Sequence, residues 1–503
     1  MPPARYVFSG EGQAAAAAHV PPQAAPGPIN GSARPQTTRA FLRGKTVLLT
    51  GGTGFLGKVV LGRLLSCAPE VARVYLLIRP RPETDGSPAS AANRFEHEVV
   101  PSAAFDSLAR SLGDDWPARA RATLVPVAGD VSQPRLGLSD EDHAALASRV
   151  HVVINAAASV VFDEPLDSAL DHNVLSVEHV ATFARDCQAA ALVHVSTAFV
   201  AGRRTGRFLE GPLAPNVASA EVPAIQQAVA DVHRAAAAGG WDSRTLRQRL
   251  VDEGMARARR LGWHDVYSYT KSLGEMALAD HRGHVPTAIL RPTIIESSLR
   301  DPMPGWLENL NVGDPLWVEF GRGRMPDFPL SAGAVLDMVP VDFVANALLA
   351  LLPRLAGTRD VAYYTVGSGA QNPLTGTEIH EVTYDYFVRH PMFDRRGQPI
   401  APTRLTFPTY DEFRARYAGN GRGATTKRLL YLADLYETYM NTPCVFDTAN
   451  TQALLDDLDE SERAALDFDV RRIDWRSYLQ DVHIPGLRRH VLGEADPARP
   501  ATP

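Results

Sequence analysis

The stretch TGGTGFLG, Thr50–Gly57, limits what this 503-residue chain can fold into more than any other. It follows a short apolar, β-branched run, Thr46–Leu49, and precedes a helical pattern carrying Val59, Val60, Leu61, Leu64 and Leu65. Glycines spaced three apart (Gly51, Gly54, Gly57) allow a tight turn, close approach of backbone to a pyrophosphate, and close packing of helix on strand. The helix N-terminus then offers amide donors to the phosphates. The loop predicts a dinucleotide site that uses Thr50, Gly51, Thr53, Gly54, Phe55, Leu56 and Gly57.

Further apolar runs stand at Val74–Ile78, Leu124–Val127, His151–Ile154 and Ala191–Val195, with helical stretches between most of them. Thr287–Leu290 and Tyr363–Val366 extend the series. The alternation predicts an α/β fold, a doubly wound Rossmann-type parallel sheet covered on both faces. Residues 41–370 form this dinucleotide-binding domain, interrupted by an Ala- and Arg-rich insertion at 205–262, and residues 371–503 read as a smaller, mainly helical C-terminal domain. Residues 1–40 are rich in Ala, Pro and Gly, and prolines interrupt the place where a signal peptide needs a continuous apolar core; a disordered tail is expected.

A net charge of -6 gives no general attraction to nucleic acid. Cys67, Cys187 and Cys444 suggest neither a disulfide framework nor a metal site, and fit a reducing, cytoplasmic setting. No apolar run approaches the length of a membrane helix.

The second strand, VYLLIRPRP, distinguishes the cofactors. A carboxylate at its end would hold the ribose 2′-hydroxyl of NAD; here Arg79 takes that place, and the first acid is Glu83, beyond two prolines. A guanidinium there suits a 2′-phosphate, so NADPH is the expected cofactor, with Arg81 a second contact.

Tyr267 and Lys271 lie four residues apart in VYSYTKSLGEMAL, on one face of a helical pattern. With 14 tyrosines and four lysines in 503 residues, chance gives this spacing about 0.1 times. A cation at roughly 4 Å and an effective dielectric near 20 attracts a phenolate by about 4 kcal/mol, so a lowered Tyr267 pKa is expected. The fifth apolar run ends in HVSTAF, which puts the Ser196 and Thr197 hydroxyls at the sheet edge where ligands of such folds bind.

Together, TGGTGFLG, the Asn-Ala-Ala-Ala of Asn155–Ala158, HVSTAF and YSYTK resemble the extended short-chain dehydrogenases/reductases and, more narrowly, the fatty acyl-CoA reductases. Ile154–Val177, Leu290–Asn311, Val339–Leu351 and the C-terminal FDTANTQALL and IDWRSYL resemble the same family, so the likeness covers nearly everything after residue 40. It implies Thr197 as catalytic hydroxyl with Ser196 the alternative, Tyr267 as proton donor, Lys271 as its partner, and Asn173 as the asparagine that helps hold the lysine through water. It implies cofactor contacts from Asp130 and Val131 on the adenine side, from Asn155, Ala156 and Ala157, and from Arg291, Pro292 and Thr293 beside the nicotinamide.

The reaction so implied is reduction of a long-chain acyl thioester to a primary alcohol through a fatty aldehyde. The carrier stays open between coenzyme A and acyl carrier protein, and the end product between alcohol and aldehyde. Peripheral membrane contact and oligomeric state are open as well. The 205–262 insertion, PMPGWLENLN and the C-terminal domain are candidate walls for an acyl tunnel. A nucleotide-sugar epimerase or hydroxysteroid-type dehydrogenase on the same scaffold, and an NADPH-sensing binding protein, are the competing readings.

Overall fold

The structure, a computed structural model, describes residues 36–81, 90–310, 312–331, 333–420, 423–441 and 444–494. Residues 1–35 of the expected tail, and Glu83, lie outside the described residues. Five strands open the fold: β1 Thr46–Thr50, β2 Arg73–Ile78, β3 Leu124–Ala128, β4 Val152–Asn155 and β5 Ala191–Val195. Thr287–Pro292 and Ala362–Val366 complete a seven-stranded sheet.

From one edge the order is Ala362–Val366, Thr287–Pro292, β5, β4, β1, β2, β3, and every pairing is parallel. All of β1 and β4 is buried, as strands covered by helices on both faces require. The chain builds outward from β1 through β2 to β3 and then crosses back to β4 on the other side of β1. That reversal opens a crevice beyond the carboxyl ends of β1 and β4, where Thr50 and Asn155 are register partners.

Order begins earlier than the composition of residues 1–40 predicts. Thr38–Leu42 is a short helix whose Thr37 side chain caps Ala40 N, and Phe41 and Leu42 enter the main core. The Thr38 amide donates to Glu462 (2.6 Å), so this helix is fastened to the C-terminal segment. The main core runs from Phe41 to Leu487, which means sheet and C-terminal segment share one apolar interior. Two three-residue parallel pairs, Gly206–Phe208 with Cys444–Phe446 and Ile294–Glu296 with Met338–Pro340, add further stitches. Neither has enough residues to show a strand period in the sequence.

The insertion is a helical hairpin, Ala218–Gly239 and Ser243–Arg260, turned by Gly240 at φ 61° and restarted by an Asp242 cap on Thr245 N. It packs on the outer face of the Val266–His281 helix, where Gly254 leaves room for Val266. Glu221 ties the two together by accepting from Arg257 (2.8 Å) and the Tyr269 hydroxyl (2.7 Å).

Candidate active site

The glycine loop is shaped by sterics. Gly51 adopts φ 75°, and a Cβ there would lie 2.6 Å from the Ala156 carbonyl carbon. A Cβ on Gly57 would overlap the Gly51 carbonyl oxygen. Gly54 caps the Phe55–Cys67 helix without a side chain, so the first-turn amides stay available to an anion. An open cleft of about 1180 Å³ follows, lined by Thr50, Gly51, Thr53, Gly54, Arg79, Arg81, Asp130, Val131, Ala156 and Ala157 among others.

Three of the expected contacts can offer the cofactor only backbone. Phe55 stacks on Trp306 at 5.3 Å, Leu56 packs on the core, and Gly57 serves helix–loop packing. Asn155 is buried and acts as a strut: its Oδ1 accepts from the Thr50 hydroxyl (2.6 Å), and its amide nitrogen meets His194 Nδ1 (3.1 Å). Thr50 Oγ1 in turn accepts from Ala157 N (3.2 Å), which fixes the cleft floor to both strands.

The basic end of the cleft holds more than the sequence suggested. Arg79 reaches His172 (3.4 Å) and stands 4.0 Å from Asp130, whose Oδ1 also accepts from the Ser132 amide and hydroxyl. Arg94, gripped by Glu98, donates to the Arg79 carbonyl (2.9 Å) and to Thr53 Oγ1 (3.5 Å). Glu164 beside His172 raises the imidazole pKa. Arg94 and His172 carry no motif; only folding brings them to Arg79.

Beyond β5 the strand alternation separates the two candidate hydroxyls. The Ser196 amide still pairs with the Leu290 carbonyl (2.7 Å), while its hydroxyl is buried with no partner among the described residues. Thr197 points the opposite way, towards the Tyr267 phenol, whose pKa it lowers; its Oγ1 accepts from Phe199 N (3.3 Å). Tyr267 and Lys271 lie one turn apart on the Val266–His281 helix, capped by Asp265 through Ser268 N (2.7 Å).

The expected lowering of the Tyr267 pKa is corrected here. Burial pushes the phenol up to about 12, with the Thr197 hydrogen bond opposing. Lys271 is itself buried, donates to the Val195 carbonyl (2.7 Å), and is pulled down to about 8 by desolvation. The simple Coulomb argument fails because burial dominates both groups, and the Lys271 ammonium is spent on the Val195 carbonyl with Glu275 the charge acting on it. The same ammonium, together with burial, holds His194 neutral.

Asn173 sits in the π-helical turn Asp171–Leu175, against which Gly274 makes a close backbone approach. Its amide accepts from Ser159 N (3.0 Å) and donates to Thr270 Oγ1 (3.1 Å), so the side chain braces the Tyr267 helix rather than touching Lys271 directly. The Arg291 side chain departs furthest from expectation. It is fully buried in a forked ion pair with Glu275 (3.0 and 2.6 Å) and lies over the Tyr363 ring at 4.7 Å. Thr293 is buried near Asp337 and Val366, and neither it nor Pro292 lines the cleft. Burial raises the pKa of Cys67 and lifts those of Cys187 and Cys444 to about 11, so the thiols stay protonated.

An apolar cavity has Tyr439 in its wall. Tyr439 packs on Phe162 (4.9 Å between centroids) and Phe199 (4.6 Å), and Phe162 packs edge-on to Tyr267 (5.6 Å), so an aromatic gate links the cavity to the phenol. The Tyr439 hydroxyl donates to Asp265 (2.6 Å), so the gate is bonded to the cap of the Tyr267 helix. Beyond Tyr439 the walls include Trp317, Phe328, Leu336, Ile379 and Phe407. The C-terminal segment is thus a wall, and Val312 and Gly313, just past PMPGWLENLN, are another. The 205–262 insertion lines none of it: its apolar face is spent on the outside of the Tyr267 helix.

The described residues contain no helix long and apolar enough to cross a membrane. An NAD-binding family model described as "Male sterility protein" matches residues 49–348, and a second of the same description matches 423–494. Fatty acyl-CoA reductase 2, chloroplastic, of Arabidopsis thaliana is 34% identical, over 90% of this chain and 79% of the relative. The alcohol-forming fatty acyl-CoA reductase of Simmondsia chinensis is 32% identical over 90% of this chain and 98% of its own. Among solved structures, the terminal R domain from the myxalamid PKS-NRPS biosynthetic pathway superposes with a TM-score of 0.60 at 21% identity, covering 89% of this chain and 91% of that one; at this identity the likeness concerns the fold. A nucleotide crevice, a Thr–Tyr–Lys cluster and a male-sterility-type C-terminal segment on one core leave a single assignment: this chain belongs to the fatty acyl-CoA reductase family and is a nicotinamide-dependent oxidoreductase.

Proposed function

We propose that the protein reduces long-chain fatty acyl-CoA to the primary alcohol, through an enzyme-held aldehyde, at the expense of two NADPH. The observation that carries this is the chain of ring contacts that runs from Tyr267 through Phe162 to Tyr439, a wall residue of the apolar cavity. The cleft fits a phosphorylated dinucleotide: Gly51 and Gly57 leave space only backbone can use, and Arg79, Arg81 and Arg94 gather at one end. Bound there, NADPH supplies hydride.

The chain's own groups do the rest. The acyl tail enters the cavity behind Tyr439, whose walls are almost wholly apolar. Thr197 and Tyr267 hydrogen-bond the carbonyl oxygen as negative charge grows on it, where fixed donors lower the barrier most. Collapse expels the coenzyme A thiolate and leaves the aldehyde on the same two donors. In the second round Tyr267 gives its proton to the alkoxide oxygen. A phenol kept protonated up to about pH 12 is always loaded for this step, and the buried Lys271 ammonium stabilises the phenolate left behind. Lys271 then passes a proton to the phenolate, restoring the phenol, and regains one from solvent.

The test is turnover of palmitoyl-CoA by the full chain, with NADPH oxidation followed optically and products separated by gas chromatography. Two moles of NADPH consumed per mole of hexadecanol support the reading; accumulation of hexadecanal at one mole per mole makes the enzyme aldehyde-forming. A sugar-nucleotide substrate in its place would return the protein to the epimerase class.

Two variants probe the two ends of the site. Arg79→Ala removes the half-exposed guanidinium from the cleft wall, and should raise the NADPH KM about tenfold or more while leaving that for NADH nearly unchanged. Equal effects on both cofactors would detach Arg79 from the 2′-phosphate. Leu336→Trp fills the cavity interior and should lower kcat/KM for hexadecanoyl-CoA relative to octanoyl-CoA by about tenfold, on the scale of a few lost methylene contacts. An unchanged ratio would place the acyl chain elsewhere.

A further inference from the structure

Three ionisable side chains meet in the interior where the proposed reaction does not need them. Glu296 ends the strand Ile294–Glu296, Asp314 opens the helix Asp314–Gly321, and His483 closes the π-helical turn Tyr478–His483. All three are buried with no exposed side-chain surface beyond 1%. His483 Nε2 lies 3.3 Å from Asp314 Oδ1 and 4.0 Å from Glu296 Oε2, and one ligand atom from each residue falls within 4.8 Å of the others.

The polar atoms of Glu296 and His483 are short of partners. Both carboxylate oxygens of Glu296, and Nε2 of His483, make no hydrogen bond, and Glu296 has no lysine or arginine in ion-pair reach among the described residues. Around them stand Trp317, 4.6 Å from the imidazole ring, and Tyr478, stacked at 5.8 Å; Tyr436 feels the charge of both acids. A buried carboxylate such as Glu296, with no lysine or arginine beside it among the described residues, costs several kcal/mol if it stays charged and unpaired.

We propose that Glu296, Asp314 and His483 bind one divalent cation of the zinc class. A ligand set of one imidazole and two carboxylates suits zinc, which holds oxygen and nitrogen donors at about 2.0–2.2 Å and so spaces them roughly 3.3 Å apart; the observed separations need only small side-chain rotations. The imidazole is already aimed. Its Nδ1 is 3.1 Å from the Ser297 hydroxyl, and the Ser297 carbonyl accepts from the Tyr478 hydroxyl (2.8 Å), leaving Nε2 toward the acids. Gly313 leaves open space beside Glu296 Oε1, where a Cβ would stand at 2.8 Å. Glu296 also borders the apolar cavity, so a fourth position occupied by water faces that side. Glu296 and Asp314 stand close in the chain and His483 far beyond them, so the ion joins the sheet body to the C-terminal segment, and no short spacing motif announces it.

The experiment uses the full chain, stripped with a chelator and dialysed against zinc, with metal content measured by mass spectrometry and the coordination shell by X-ray absorption. About one zinc per chain is expected, bound by nitrogen and oxygen alone. Glu296→Gln and His483→Gln should each lose it while still binding NADPH, which reports an intact cleft on the other side of the molecule. Less than about a tenth of an equivalent in the natural chain, a shell containing sulfur from the cysteines, or undiminished binding in folded variants would each overturn the proposal. Should the variants fail to fold, stoichiometry and shell of the natural protein decide alone.

Discussion

Tyr267→Phe is expected to lower acyl-CoA turnover by about a thousandfold while leaving NADPH affinity and thermal stability close to those of the natural enzyme. The substitution removes one oxygen and nothing else. It leaves the ring on Phe162, the helix cap at Asp265 and the Lys271–Val195 bond in place. What disappears is the proton that would reach the substrate oxygen and one of two donors that face it. Thr197→Val should behave as a weaker version, because the phenol can still protonate the product. Steady-state kinetics with palmitoyl-CoA, paired with a fluorescence titration of NADPH, separate chemistry from binding. Turnover within a factor of ten of normal would remove Tyr267 from the reaction.

The second large effect concerns stability. Arg291→Met should destabilise the fold by about 3–5 kcal/mol, because it leaves the Glu275 carboxylate buried with its countercharge gone. Both groups are almost wholly inaccessible, and the fork between them fixes how the Tyr267 helix lies on the Thr287–Pro292 strand. Urea denaturation measures the loss. The double variant Arg291→Met/Glu275→Leu should recover most of it, since an apolar pair of similar volume needs no countercharge. If the double variant is no more stable than the single one, the arginine contributes through its stacking on Tyr363 rather than through charge.

Much of this architecture is legible in the sequence, for a physical reason. Strands buried on both faces must be continuously apolar, so the central strands announce themselves as short aliphatic runs, and the two edge strands, LVPVA and AYYTV, also lie within a residue or two of their apolar runs. The glycine loop is equally transparent, because Gly51 and Gly57 occupy places where any Cβ would collide with backbone. Side-chain direction is harder to read. Ser196 and Thr197 differ by one residue, and only the register of β5 against Thr287–Pro292 decides which meets the phenol.

Arg291 looked like a cofactor contact because it adjoins the expected nicotinamide loop, but alternation along its strand turns it to Glu275. The electrostatics of Tyr267 were misjudged for a related reason: spacing along a helix gives proximity, whereas burial is set by elements hundreds of residues away, Tyr439 among them. The role of the insertion was hidden because an amphipathic hairpin pattern does not say which surface it covers.

The two recesses draw on separate stretches of the polypeptide. Everything bordering the nucleotide crevice falls between Thr50 and His172, and everything bordering the apolar chamber falls between Ile294 and Met440. Substitutions that reshape the chamber therefore leave the hydride-delivering half untouched, and only the aromatic gate at Phe162, Phe199 and Tyr439 answers to both. Such a division lets relatives diverge in which tails they accept while the redox apparatus stays constant, and it marks the later half as the place to re-engineer substrate length.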